Sequence, residues 1–150
     1  MKAISLWMPQ AAWVCLKWKT IETRNHARFK ALVGQRIAIH ATQKIDEAAF
    51  FNERFLARLA AGDTGALGMQ NMMMYAHMNR GKILCTAVVE KGLRCPNVDF
   101  VEREEWEKAA MCDIRDKYLL LLSDIKALSK PVPFSGRQFP FDVPDELLRQ

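Results

Sequence analysis

The sequence predicts a single mixed α/β domain, of the α+β kind, in which about six strands close into a small barrel with flanking helices. Three observations predict it. The chain has 150 residues, half of them hydrophobic and about a quarter charged, which suits one soluble globular unit able to bury its own core. Strand-like and helix-like runs alternate along residues 1–150 without internal repeats or low-complexity tracts. A largely helical stretch at about 42–80 is inserted between two strand-like runs, which argues against a regular doubly wound sheet.

The elements follow in order. Lys2–Leu6 alternates weakly and reads as a strand. Pro9–Trp18 reads as a short helix, with Pro9 in its first turn and Ala12, Trp13 and Leu16 on one face. Lys19–Arg24 is β-like. A basic connection, 25–33, leads to Gly34 and to a strand at 35–41 that places Ile37 and Ile39 on one face. Asp46–Ala61 carries the clearest helical period, with Ala48, Phe51, Phe55 and Leu59 as its apolar stripe and Gly62-Asp63-Thr64-Gly65 as its stop. Met72-Met73-Met74 belongs to a second helix as core filler. Gly81–Leu93 is a long strand, Glu102–Ala110 a helix, Tyr118–Leu122 a short buried strand, and Gln138–Val143 a last strand limited by Pro140 and Pro144.

Several function classes drop out. No apolar run approaches the ~20 residues of a membrane span, and the apolar start of the chain is too short for a signal-peptide core. Cys15, Cys85, Cys95 and Cys112 are widely spaced, with no histidine at ligand spacing, so buried free thiols in the cytoplasm are expected, with no metal and no cofactor. No phosphate-binding loop, dinucleotide fingerprint, zinc-protease motif or nucleophile elbow occurs. His26, His40 and His77 stand isolated, and a structural or surface role is expected for each. Charge is more informative. Residues 1–44 hold eight bases against Glu22 alone, a net +7, while the rest holds fourteen bases against sixteen acids, −2, within an overall +5. That one-sided excess is the electrostatic footprint of a polyanion, because contacted phosphates release their counterions.

One segment carries a family pattern. Lys17-Trp18-Lys19-Thr20-Ile21-Glu22-Thr23-Arg24 resembles the G-x-K-x-x-E-x-R signature of ASCH domains. Ala3–Ala12, Gly34–Ala41, Gly81–Val89 and Pro131–Gln138 resemble that family's other strands and its closing turn, in the same order. The resemblance implies a PUA-like barrel used around RNA or nucleotides. Lys17 departs from the signature glycine, and Leu120 and Phe141 stand where many members carry Trp; Trp7, Trp13 and Trp18 are the candidate replacements. Some members hydrolyse acetylated cytidine with a Thr where this chain has Glu22, which counts against that amidohydrolase chemistry here. Another cleaves single-stranded RNA, and a third mode is a non-catalytic reader of RNA or a modified base.

The residues themselves suit such a cleft. On a regular strand Thr20, Glu22 and Arg24 share one face, with ~7 Å between neighbours, and Ile21 points into the core. Lys19 has the wrong parity and reaches that cleft only from a helix–strand junction. Lys19 and Glu22 are therefore the candidate catalytic pair, a cation for developing phosphorane charge and a carboxylate base. Lys17, Arg24, Arg28, Lys30, Arg36 and Arg137 are the candidate RNA contacts. In the other reading of the same residues, Glu22 and Arg24 pair and brace the fold. The expected partner is single-stranded RNA or a nucleotide derived from it, with no membrane.

Overall fold

In the computed structural model, which describes residues 1–64 and 68–150, a strand and a short helix come first: β1 (Lys2–Met8) and α1 (Gln10–Cys15). Next are β2 (Ile21–Arg24), a 3-10 turn at Arg28–Leu32, and β3 (Arg36–Ile45). A 3-10 turn at Glu47–Phe51, α2 (Glu53–Ala61) and α3 (Met69–Asn79) fill the space before β4 (Lys82–Arg94). Then come α4 (Phe100–Ala110), β5 (Tyr118–Pro133), β6 (Phe141–Asp142) and a closing 3-10 turn at Asp145–Leu148. No helix among the described residues is long and apolar enough to cross a membrane.

The six strands form one sheet in the order β2-β5-β4-β3-β1-β6. β1 runs parallel to β3, and the other neighbours are antiparallel. The α+β class and the strand number agree with the sequence reading, but the sheet is open at β2 and β6 rather than closed into a barrel. Chemistry explains both edges. β6 is two residues long, and the prolines at 140 and 144 that flank it have no N–H to offer a further strand. Beside β2, α4 shields one face through the apolar cluster of Ile21, Ala110, Ile114 and Leu119.

The main core lies between the sheet and α1, α2 and α3. Trp13, Phe29, Phe50, Phe55, Ile37, Ile39 and Met72 are among its large members, all about fully buried. Each contributes roughly 1.5–3 kcal/mol of transfer free energy. Phe55 is the hub, with its ring 5.4 Å from that of Trp13, 6.2 Å from Trp18 and 6.3 Å from Phe50.

Four local expectations are corrected. The predicted helix over Asp46–Ala61 is broken at Asn52, whose extended backbone restarts the helix and whose side-chain oxygen caps the amides of Arg54 and Phe55. The break resets the helical phase, so Phe50 is buried and Phe51 is 74 % exposed, the reverse of the predicted stripe. Gly62 ends α2 at φ 73°, while Gly65 of the predicted stop lies outside the described residues. Of the three methionines, Met72 is core, but Met73 and Met74 face outward. β5 runs sixteen residues instead of five, because it pairs with β4 from Tyr118 to Pro133 while its second half shows polar residues to solvent. Among the thiols only Cys85 is fully buried; Cys15, Cys95 and Cys112 are half-buried, and all four are free.

Candidate functional site

The site begins where α1 ends. The amide of Trp18 donates to the Trp13 carbonyl (2.9 Å) and that of Lys17 to the Val14 carbonyl (2.9 Å), the paired bonds of a Schellman cap. Such a cap needs a left-handed residue, and Lys17 takes it at φ 64°. This is the physical reason for glycine in the signature that the segment resembles. The cap reverses the chain and points Trp18 and Lys19 inward, leaving Lys17 exposed.

Lys19 is 2 % exposed. Its Nζ donates to the carbonyl of Ala110 (2.6 Å), the last residue of α4, where the helix leaves acceptors unpaired and presents the negative end of its dipole. The same nitrogen stands 3.5 Å from Glu22 Oε2. The other Glu22 oxygen lies 3.1 Å from Arg24 Nε, an ion pair by distance that lacks the angle of a good hydrogen bond. Arg24 then donates through Nη2 to the carbonyl of Ser5 (3.1 Å), with its guanidinium carbon 4.5 Å from the Phe29 ring centre. An unbroken polar chain thus runs from the end of α4 to the middle of β1. Glu22 and Arg24 share the strand face that the sequence assigned to them, and Lys19 joins them from the helix–strand junction.

This chain floors a cleft of about 540 Å³, walled by Ser5 and Trp7 of β1, Gln10 and Trp13 of α1, Asp46, Asn52 and the Ala110–Cys112 segment. Two buried polar atoms in its wall have no hydrogen-bond partner among the described residues: the Trp13 indole Nε1, a donor, and Gln10 Oε1, an acceptor. The side-chain nitrogen of Gln10 is held by Asp46 at 3.1 Å. The start of α2 forms the rim. Asn52 donates to the carbonyl of Met111 (3.0 Å), and Arg54 binds Glu107 of α4 at 2.5 Å.

A second cleft of about 820 Å³ adjoins the first and shares Ser5, Trp7 and Arg24 with it. His40, Thr42 and Gln43 of β3, Gly81 and the 133–138 segment complete it. Trp7 stands in both clefts, 46 % exposed, with Lys44 Nζ 3.7 Å from its ring centre. His40 is 2 % exposed. Its Nε2 lies 2.9 Å from the carbonyl of Phe134, which only accepts, so Nε2 carries the proton and Nδ1 accepts from Ser5 Oγ at 3.0 Å. Burial pushes the His40 pKa below its ordinary value, and the Phe134 carbonyl offsets this in part.

Of the residues singled out from the sequence, Lys19, Glu22 and Arg24 meet in the first cleft, and Arg137 lines the second. Arg28 is exposed, its guanidinium carbon 5.6 Å from the Phe139 ring centre, and Lys30 is exposed on the same 3-10 turn. Arg36 lies at the start of β3, bound to Thr86 of β4 and, beyond it, to Asp124 of β5, and does not line either cleft. Ser5, His40, Asp46 and Asn52 are cleft residues that sequence reasoning missed. Ser5 and His40 are 35 positions apart in sequence, and only the parallel register of β1 on β3 makes them partners.

This architecture has solved counterparts. A crystal structure of ASCH from Zymomonas mobilis superposes with a TM-score of 0.55, covering 97 % of this chain and 88 % of that one at 15 % identity. The chain has the ASCH fold. A serine-to-alanine variant of ZmASCH from the same organism gives a TM-score of 0.50 at 16 % identity, over 97 % and 89 % of the two chains. No family model matches the sequence. The second cleft is built where residues of β1 and β3 meet the end of β5 and the segment after it.

Proposed function

We propose that the joined clefts bind single-stranded RNA, or a nucleotide derived from it. The observation that carries this reading is the unused donor and acceptor, Trp13 Nε1 and Gln10 Oε1, in a cleft whose mouth holds the half-exposed indole of Trp7. A nucleobase edge supplies both an acceptor and an amino group, and its face stacks on an indole. Lys44 against Trp7 and Arg137 in the second cleft bring positive charge to the path of the sugar–phosphate chain. A cytoplasmic location fits this role.

Strand cleavage is the second reading, favoured by the closeness of Lys19 to Glu22 at the cleft floor. Against it, both Glu22 oxygens face cations and the carboxylate is buried, which suits positioning better than proton abstraction.

The test is titration of fluorescently labelled single-stranded RNA at rising salt, with strand integrity read on the same samples. Affinity should fall with a slope of roughly −0.7 in log–log form per phosphate contacted. Trp7→Ala should weaken binding about 5- to 100-fold, the value of one stacked base, with little change in stability. Salt-insensitive binding, or an unchanged affinity in that variant, would sink the proposal.

A further inference from the structure

We propose that Ser5 and His40 form a nucleophile–base pair that hydrolyses carboxylic esters bearing an anionic group. The pair belongs to the second cleft and does not depend on RNA binding. Register and hydrogen bonding build it. Parallel pairing sets Ser5 beside His40, the Ser5 hydroxyl donates to Nδ1 at 3.0 Å, and the Phe134 carbonyl holds Nε2–H at 2.9 Å. This is the arrangement that activates a hydroxyl: a base within reach, itself fixed in one tautomer by a third group. Burial keeps the imidazole neutral and ready to accept a proton.

Access and charge fit the same use. Ser5 is half-buried and opens on both clefts, whereas His40 is enclosed. Gly136 closes over the pair so tightly that a Cβ there would come within 2.2 Å of His40 Cε1 and 2.7 Å of Ser5 Oγ, so this position has no room for a side chain. The Arg24 guanidinium is hydrogen-bonded to the carbonyl of Ser5 itself, which sets positive charge beside the nucleophile, and Arg137 adds more in the same cleft. An anionic substrate is the complement.

The chemistry closes without a co-reactant beyond water. Ser5 Oγ attacks the ester carbonyl carbon while Nδ1 of His40 takes the hydroxyl proton. Collapse of the tetrahedral intermediate breaks the bond to the alcohol oxygen, which leaves with the proton from His40. Water then attacks the acyl-Ser5, again giving its proton to His40, and the carboxylic acid departs as Ser5 regains its hydrogen. The group behind His40 is a neutral carbonyl rather than a carboxylate. The imidazolium is therefore less stabilised, and esters are favoured over amides, whose leaving group needs more help.

The experiment uses the full chain with a fluorophosphonate probe, read by intact mass and peptide mapping. The expected result is one adduct, on Ser5, absent in Ser5→Ala and formed about 100-fold more slowly in His40→Gln. Wild-type protein that stays unlabelled at Ser5, or a His40→Gln variant that labels at the wild-type rate, overturns the pair and leaves it a structural tie to the 133–138 segment. The wild-type result decides the matter even if a variant fails to fold. Hydrolysis of 4-nitrophenyl hemisuccinate should exceed that of 4-nitrophenyl acetate by about tenfold or more in kcat/KM. Equal rates would overturn the anionic specificity.

Discussion

The two clefts meet at Ser5, Trp7 and Arg24, yet they are furnished in opposite ways. In the first, charge is matched inside the protein: Lys19 against the end of α4, Glu22 between two cations, Arg24 against the backbone of β1. In the second, a neutral serine and histidine face a space edged by Arg137. The difference teaches that the residues most visible as a sequence pattern are those with a folding duty. Lys19, Glu22 and Arg24 tie α4, β2 and β1 together, so their identity is fixed by several partners at once. The residues of the second cleft come from separate segments of the chain, so no spacing within one segment brings Ser5, His40 and Arg137 together.

The sharpest way to break the comparison is Glu22→Gln. Removing the carboxylate leaves buried Lys19 and half-buried Arg24 facing a neutral amide, and urea unfolding should show a loss of about 3 kcal/mol. A loss well under 1 kcal/mol would mean that the first cleft is not self-braced, and would return Glu22 to the role of a free base.

A smaller effect is expected from the neutral side on acidification. The pKa of His40 in the folded protein is lowered, chiefly by burial. The unfolded chain therefore takes up a proton near its ordinary value of ~6.5 while the folded chain resists it. More protons are bound when unfolded, so stability falls as pH drops below that value, down to the depressed folded pKa. Ser5, the Phe134 carbonyl and the edge-on ring of Phe141 adjoin the imidazole, and Arg24 and Arg137 are the charged groups lining the same cleft. Melting curves between pH 7 and pH 5 should show less loss for His40→Gln than for wild type. Equal losses would show that His40 is not held neutral.

The smallest effect concerns the hinge into the first cleft. Lys17 holds a left-handed conformation at the Schellman cap, which costs a side-chain-bearing residue about 1 kcal/mol. Lys17→Gly should relieve that strain and raise the unfolding midpoint, offset in part by the flexibility glycine adds to the unfolded chain. A lowered midpoint would show that the Lys17 side chain has a stabilising contact of its own.

How far the sequence carried depends on the range of the interaction. α1, β2, β4 and α4 are visible because their signals are local, an apolar helical period or a β-branched run within one segment. The break at Asn52 was hidden by an apolar stripe that stays periodic across it, although Asn is a good cap and could have been weighed as one. The length of β5 was hidden because Ser123–Lys130 alternates polar residues on a solvent face, and only pairing with β4 makes it a strand.

By itself, then, the sequence determined the α+β class, the six strands, the helical insertion and the grouping of Lys19, Glu22 and Arg24. These follow from spacing within one segment, where covalent geometry limits what neighbours can do. Only the tertiary structure decided that the sheet stays open, that Arg36 is bound to Asp124 away from both clefts, and that Ser5 meets His40. Each of these depends on which strand lies beside which and in what register. A one-residue slip of β1 on β3 would carry Ser5 to the other face, and no local pattern records that choice.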